Sequence, residues 1–219
     1  MMIRNRFAGI IGTVILLFTC CKKLPQNEQP VYENNFEQSD LSSVTGGLIT
    51  DYNGSKVIGR YNNGGFILNL AGLPDHDFIK VSFDLYIHDG WDGDSKGDSI
   101  IVEAPDLWKM KVDGDEYINT TFSNTVCNGV FCLMQSYPHN YPFHNNPKTG
   151  AARTDLPGVC HFKDIPGGTT LYKIERLIKQ KKSTVSIEFK DLLLQSNSAD
   201  PLCDESWSMD NIVISVLKK

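Results

Sequence analysis

Positive charge is in short supply in this chain. Lysine and arginine number 21 against 26 aspartates and glutamates, a formal charge of −5. Arg4 and Arg6 are the only charged residues among the first twenty, so the remainder holds 19 basic and 26 acidic residues, a formal −7. Nucleic-acid binders present basic stripes to the phosphates, which weighs against that class. Histidine is scarce too, at five. Several catalytic signatures are missing: there is no H-E-x-x-H, P-loop or G-x-G-x-x-G. No C-x-x-C pair occurs to support a zinc site. A glycosidase needs only two carboxylates, which any of the acids could supply, so a hydrolase of an extracellular polymer stays open as the alternative reading.

Long apolar runs are lacking beyond the N-terminus. There, residues 7–19 are apolar or small, Arg4 and Arg6 precede them, and Cys20-Cys21-Lys22-Lys23 follows. Thirteen residues fall short of the roughly 20 that span a bilayer. The flanks fit a secretory signal, and a cysteine directly after the apolar region is what lipoprotein processing requires. Cys20 has Leu17 at minus three but a bulky Phe18 at minus two. Cys21 has Thr19 at minus two and a small residue at minus one, and is favoured as the acylated residue. Acyl chains contribute about 0.8 kcal/mol per buried CH₂, so several chains anchor a domain stably. The expected layout is a leader over 1–20, a flexible tether over 21–33 and one domain over 34–219. The chain is expected to be exported and held at the outer membrane by lipid, on its periplasmic or surface face.

What the domain does have is strand pattern. Ile79, Val81, Phe83, Leu85 and Ile87 alternate with Lys80, Ser82, Asp84, Tyr86 and His88. Period two places the five apolar side chains on one face, the mark of a half-buried strand. Residues 65–70, 99–103, 107–112, 117–123, 185–189 and 212–217 are further strands, separated by Gly, Asn, Asp and Pro clusters. Short strands with such punctuation predict an all-β, jelly-roll-like sandwich of two antiparallel sheets. Residues 170–180 are ambiguous, because Leu171, Ile174, Leu177 and Ile178 fall at helical spacing. Cys127, Cys132, Cys160 and Cys203 suggest two disulfides with three possible pairings. Nearness in sequence favours Cys127–Cys132 and Cys160–Cys203.

Two segments are candidate sites. Asp89, Asp92, Asp94 and Asp98 crowd four carboxylates into ten residues, and Asp204, Glu205 and Asp210 precede the last strand. Calcium takes six to eight oxygens in flexible geometry, so Ca²⁺ is expected to draw on Asp89, Asp92, Asp94, Asp98, Asp204 and Asp210. An EF-hand is rejected, since Lys96 falls at its fifth position and the flanks are strands. The bland reading is an acidic turn with Trp91 and Trp207 as packing residues. The second segment offers Tyr137, His139, Tyr141 and Phe143 among prolines that restrict its backbone. Rings flanked by amides suit a glycan or an extracellular protein; the bland reading is a loop covering the sandwich edge. A purely structural envelope role is the third alternative.

The stretch Val81-Ser82-Phe83-Asp84-Leu85-Tyr86-Ile87-His88-Asp89-Gly90-Trp91-Asp92-Gly93 carries a resemblance, together with Thr120–Asn124, Gln135-Ser136-Tyr137-Pro138 and Asp204-Glu205-Ser206-Trp207 leading to Asp210-Asn211. In these the chain resembles a family of extracellular jelly-roll domains in bacterial lipoproteins of Bacteroidota type, similar in architecture to MAM and laminin-G sandwiches. The resemblance implies the sandwich fold and a strand around Tyr172. Gly90 stands where a serine is usual and Ser208-Met209 replaces a Gly-Leu pair.

Overall fold

The computed structural model describes residues 27–94, 105–127, 132–193 and 199–219. The leader, the expected strand at 99–103 and Asp98 lie outside them. In chain order the elements are β1 (Asn27–Asn34), β2 (Val44–Thr45), β3 (Ile49–Tyr52), β4 (Ser55–Tyr61), β5 (Gly65–Ala71) and β6 (Phe78–Asp89). Then come β7 (Leu107–Val112), β8 (Asp115–Thr121), β9 (Arg153–Pro157), β10 (Pro166–Lys179), β11 (Thr184–Leu192), α1 (Pro201–Asp204) and β12 (Glu205–Lys218). Pairing is antiparallel throughout these strands. One sheet has the order β3-β4-β12-β6-β10-β9, with β1 also on β12; the other runs β2-β5-β11-β7-β8. The molecule is a jelly-roll-like β-sandwich.

Period two explains the centre. Ile79, Val81, Phe83, Leu85 and Ile87 of β6 are all buried. They face the second sheet, where Phe83 meets Trp108 of β7 at 5.8 Å and Phe189 of β11 at 5.3 Å between ring centroids. Trp207 of β12 meets Trp108 edge-on at 5.8 Å, so rings from both layers interdigitate, as sandwich cores require. All three tryptophans are fully buried. Trp91 donates Nε1–H to the Ser206 carbonyl at 2.8 Å, and Trp207 donates to the Asp191 carboxyl, so neither indole leaves a buried donor unmet.

The ambiguous segment at 170–180 is strand. β10 pairs with β6 from Thr169 opposite His88 to Lys179 opposite Phe78. Tyr172, Ile174 and Ile178 alternate into the core, whereas Leu177 points out and is 50% exposed. Apolar residues on both faces had imitated a helical stripe. The sole helix among the described residues is the four-residue α1, so none is long and apolar enough to cross a membrane.

The expected tether at 21–33 needs correction. Asn27–Asn34 is a strand paired along β12, from Asn27 opposite Lys218 to Asn34 opposite Ile212. It shows no apolar alternation, because most of its side chains are exposed at an edge and it is held by backbone pairing. Pro30, which cannot donate to a ladder, sits where the register shifts. The disulfides join Cys127 to Cys132 and Cys160 to Cys203, the pairing that nearness favoured.

Candidate functional site

One end of the sandwich gathers the end of β6, the starts of β10 and β12, and the loops that follow β8 and β9. β6 runs into Asp89, whose backbone adopts a positive φ of 62°. Its buried carboxylate accepts from the amides of Val159 (3.1 Å), Cys160 (3.2 Å) and Phe162 (3.0 Å). These three bonds hold the 158–165 loop against the sheet end. Beyond Asp89, the Gly90 amide donates to the Asp204 carbonyl at 2.8 Å, tying the acidic turn to α1.

The turn itself is built on a residue the sequence reading missed. Asp106, buried beneath it, accepts from the amides of Asp92 (2.6 Å) and Gly93 (3.1 Å). Burial, and then the charges of Asp92 and Asp204, push its carboxyl up to about 8. Gly93 sits at φ 68°, and a Cβ there would lie 2.1 Å from the Met134 carbonyl, so no other residue fits. Asp94 accepts from the Thr121 hydroxyl, the Ser136 hydroxyl at 2.9 Å and His144 Nδ1 at 2.9 Å.

The six residues expected to share calcium are therefore spread out. Asp89 and Asp94 spend their carboxylates on protein donors. Asp210 faces Asp84, five residues back along β6 from Asp89. Burial, and then the facing Asp84 charge, push its carboxyl up to about 6. Asp92 is exposed on the turn, near Asp204 of α1, and Asp98 lies outside the described residues. Among the described residues no group of three or more His, Cys, Asp or Glu side chains is placed to hold a metal.

The aromatic segment divides as well. Tyr137 is only 6% exposed and packs against Phe122 and Tyr172, each at 5.0 Å. Tyr141 is half-buried; its amide donates to the Asn119 carbonyl at 2.7 Å. Thr120 donates its hydroxyl to the His139 carbonyl at 2.7 Å. These bonds cover β8, the open edge of the second sheet, which is how native sheets protect an edge. His139 and Phe143 stack at 3.9 Å on the outer side, with Phe143 44% exposed. Of the other histidines, His88 lies buried between the hydroxyls of Thr169 and Ser208, and burial pushes it down to about 3.

Beside the acidic turn lies a pocket of about 430 Å³, lined by Asp89, Gly90, Asp92, Asn124, Thr125, Val126, Leu133, Lys148, Phe162, Ile165, Pro166, Gly167 and Gly168. Gly90, Gly167 and Gly168 give it bare backbone in its lining. Val126 and Ile165 stand 78% and 50% exposed at its margin. Val126 and Leu133 flank the Cys127–Cys132 bridge, with Cα atoms 4.5 Å apart. The Cys160–Cys203 bridge, at 5.0 Å, pins the loop bearing Phe162 and Ile165 to α1. Asn124 braces the floor, its Nδ2 donating to the carbonyls of Ile87 (2.9 Å) and Asp89 (3.0 Å). Lys148 donates Nζ–H to the Gly167 carbonyl at 2.8 Å, and burial lowers its pKa. No spacing in the sequence marks Lys148, Phe162 or Ile165 as neighbours; the antiparallel return of β10 brings them together.

No family model and no curated protein matches the chain. Among solved structures it is similar to a family 35 carbohydrate binding module from Clostridium thermocellum, at 8% identity and a TM-score of 0.35, over 78% of this chain and 88% of that one. The CBM22-2 xylan-binding domain of Paenibacillus barcinonensis Xyn10C gives 10% and 0.38, over 84% and 98%. The K2 cleaved adhesin domain of Lys-gingipain gives 16% and 0.36, over 86% and 97%. Likeness at this level carries no argument about ligand or site. The fold rests on the strand pairing itself: an all-β sandwich with a preformed pocket at one end.

Proposed function

We propose that this chain is an exported, lipid-anchored and non-enzymatic β-sandwich that binds a glycan in the pocket between its two disulfide-held loops. The observation that carries the reading is the pocket: about 430 Å³, apolar side chains facing open space, and backbone in its lining. That volume falls in the range of small-ligand sites. Phe162, Ile165, Val126 and Leu133 offer the apolar face that a sugar ring's C–H groups need, while Asp92, Thr125 and Lys148 supply polar contacts at the margin. Asp89 and Asp92 are the carboxylates among the described lining residues, and Asp89 is committed to three amides, which does not favour an acid–base pair there.

Strand register supports presentation at a surface. β1 enters opposite Lys218, while the pocket lies at the other end of the 14-residue β12, on the order of 40 Å away. A lipid on Cys21 or Cys20 would then hold the pocket away from the outer membrane. Calcium enters this proposal as a stiffener of the acidic turn, held by Asp92 and Asp204, two carboxylates, with water completing its shell. A glycan array probed with the chain from Lys22 onward, once with millimolar calcium and once with EDTA, tests both statements. Binding lost on replacing Phe162 by Ala supports the pocket, and silence across envelope and host glycans removes the glycan reading. Binding of equal strength in EDTA removes calcium.

A further inference from the structure

Lys148 is the lysine in the pocket lining. Its backbone is fixed: the amide donates to Gln135 Oε1 at 2.8 Å, and its own carbonyl accepts from Ala151 at 3.1 Å. Gln135 is fully buried and accepts in turn from the Tyr172 hydroxyl at 3.1 Å. The side chain is thus aimed into the pocket from a rigid base. Its ammonium has three donors, and among the described residues one of them is met, through the Gly167 carbonyl. Among the described residues no carboxylate lies within 4.0 Å of Nζ, whereas Lys80, Lys173, Lys181, Lys182 and Lys218 each have one. Lys148 is half-buried, and lost hydration disfavours its charge.

We infer that the ligand itself brings the missing counter-charge: the pocket takes a sugar bearing a carboxylate, a uronic acid residue, whose acid group pairs with Lys148 while its ring lies against Phe162 and Ile165. This inference rests on the glycan reading above and narrows it. A single negative charge fits better than a doubly charged phosphate, because Asp89 and Asp92 share the lining.

The test is calorimetric titration of the full chain with an oligogalacturonate, and with its methyl ester as the uncharged counterpart. A charge-assisted hydrogen bond corresponds to about 10- to 100-fold in affinity, so the free acid should bind tighter than the ester by that factor. The preference should weaken with added salt. Lys148→Gln keeps a donor for the Gly167 carbonyl and removes the charge; it should bring acid and ester to equal affinity at an unchanged melting temperature. Lys148→Arg should retain the preference. Equal binding of acid and ester by the wild-type chain, or a preference that survives in Lys148→Gln, overturns the uronate inference and leaves the glycan reading standing. So does binding of neutral glycans alone. Failure to bind any glycan, charged or neutral, removes the reading itself and the inference with it.

Discussion

The loop at 137–146 and the loop at 158–168 make an instructive pair. The first is rich in rings and prolines, the second in glycine, with a single phenylalanine. Ring content would choose the first as the binding surface. The structure spends much of it elsewhere: Tyr137 fills a gap between Phe122 and Tyr172, and the backbone around Tyr141 caps β8. The second loop keeps its backbone busy with Asp89 and leaves Phe162 and Ile165 facing open space. What makes a surface available is therefore the groups a loop has left after its own folding needs are met.

The sharpest way to break this comparison is to free the second loop. Replacing Cys160 and Cys203 together by Ser removes a bridge between residues 43 apart in sequence. Chain entropy sets the expected loss of stability at about 4 kcal/mol, read by urea titration. Sugar affinity should fall with it, since the wall is no longer pinned. A denaturation midpoint that did not move would show that Asp89 alone holds the wall.

Within the first loop, a pair of substitutions separates buried from exposed rings. Tyr137→Ala should cost about 3 kcal/mol, the usual toll for emptying a buried aromatic site. Phe143→Ala, on the exposed face, should stay within about 0.5 kcal/mol and leave pocket binding intact. If Phe143→Ala instead abolished sugar binding while stability held, the binding surface would belong to the aromatic loop after all.

The smallest effect concerns pH. Asp106 is raised to about 8 in the folded chain from an ordinary 3.8, chiefly by burial. A carboxyl raised in this way favours the folded state below its unfolded pKa and loses that advantage as pH climbs through the folded value. Asp191 and Asp210, each raised to about 6 mainly by burial, act in the same sense over a narrower window. His88 works oppositely: lowered to about 3, it withdraws stability as pH drops below 6.5. Between pH 6.5 and 8 the Asp106 contribution is the main one left changing, so the melting temperature should decline there. Asp106→Asn should flatten that decline, and a slope unchanged by the substitution would assign it to another group.

How much of this was legible beforehand depends on the range of the interaction concerned. β6 announced itself because alternation in 79–88 is a local pattern, and β7 fell on residues 107–112 as expected. The return strand at 170–179 could not be told from a helix by spacing, since Leu171 and Leu177 add apolar positions on its outer face. β1 was hidden because it has no apolar alternation, and its order comes from the backbone of β12, some 180 residues later. For the site, the acidic turn was visible and its chemistry was not. Whether Asp89 and Asp94 are free depends on Val159, Cys160, Phe162, Ser136 and His144, none of which the local sequence names.

Sequence alone determined the sandwich, its central strand and the turn at Asp89–Asp94, because alternation and glycine punctuation act over a few residues; it favoured one disulfide pairing of three, which the structure selected. Tertiary structure alone decided that the pocket exists, that Lys148 faces into it without a partner carboxylate among the described residues, and that Asp106 holds the turn from beneath. Those facts arise where β6, β10 and β12 end together. Long-range register sets that meeting, and register leaves no mark in any one stretch of the chain.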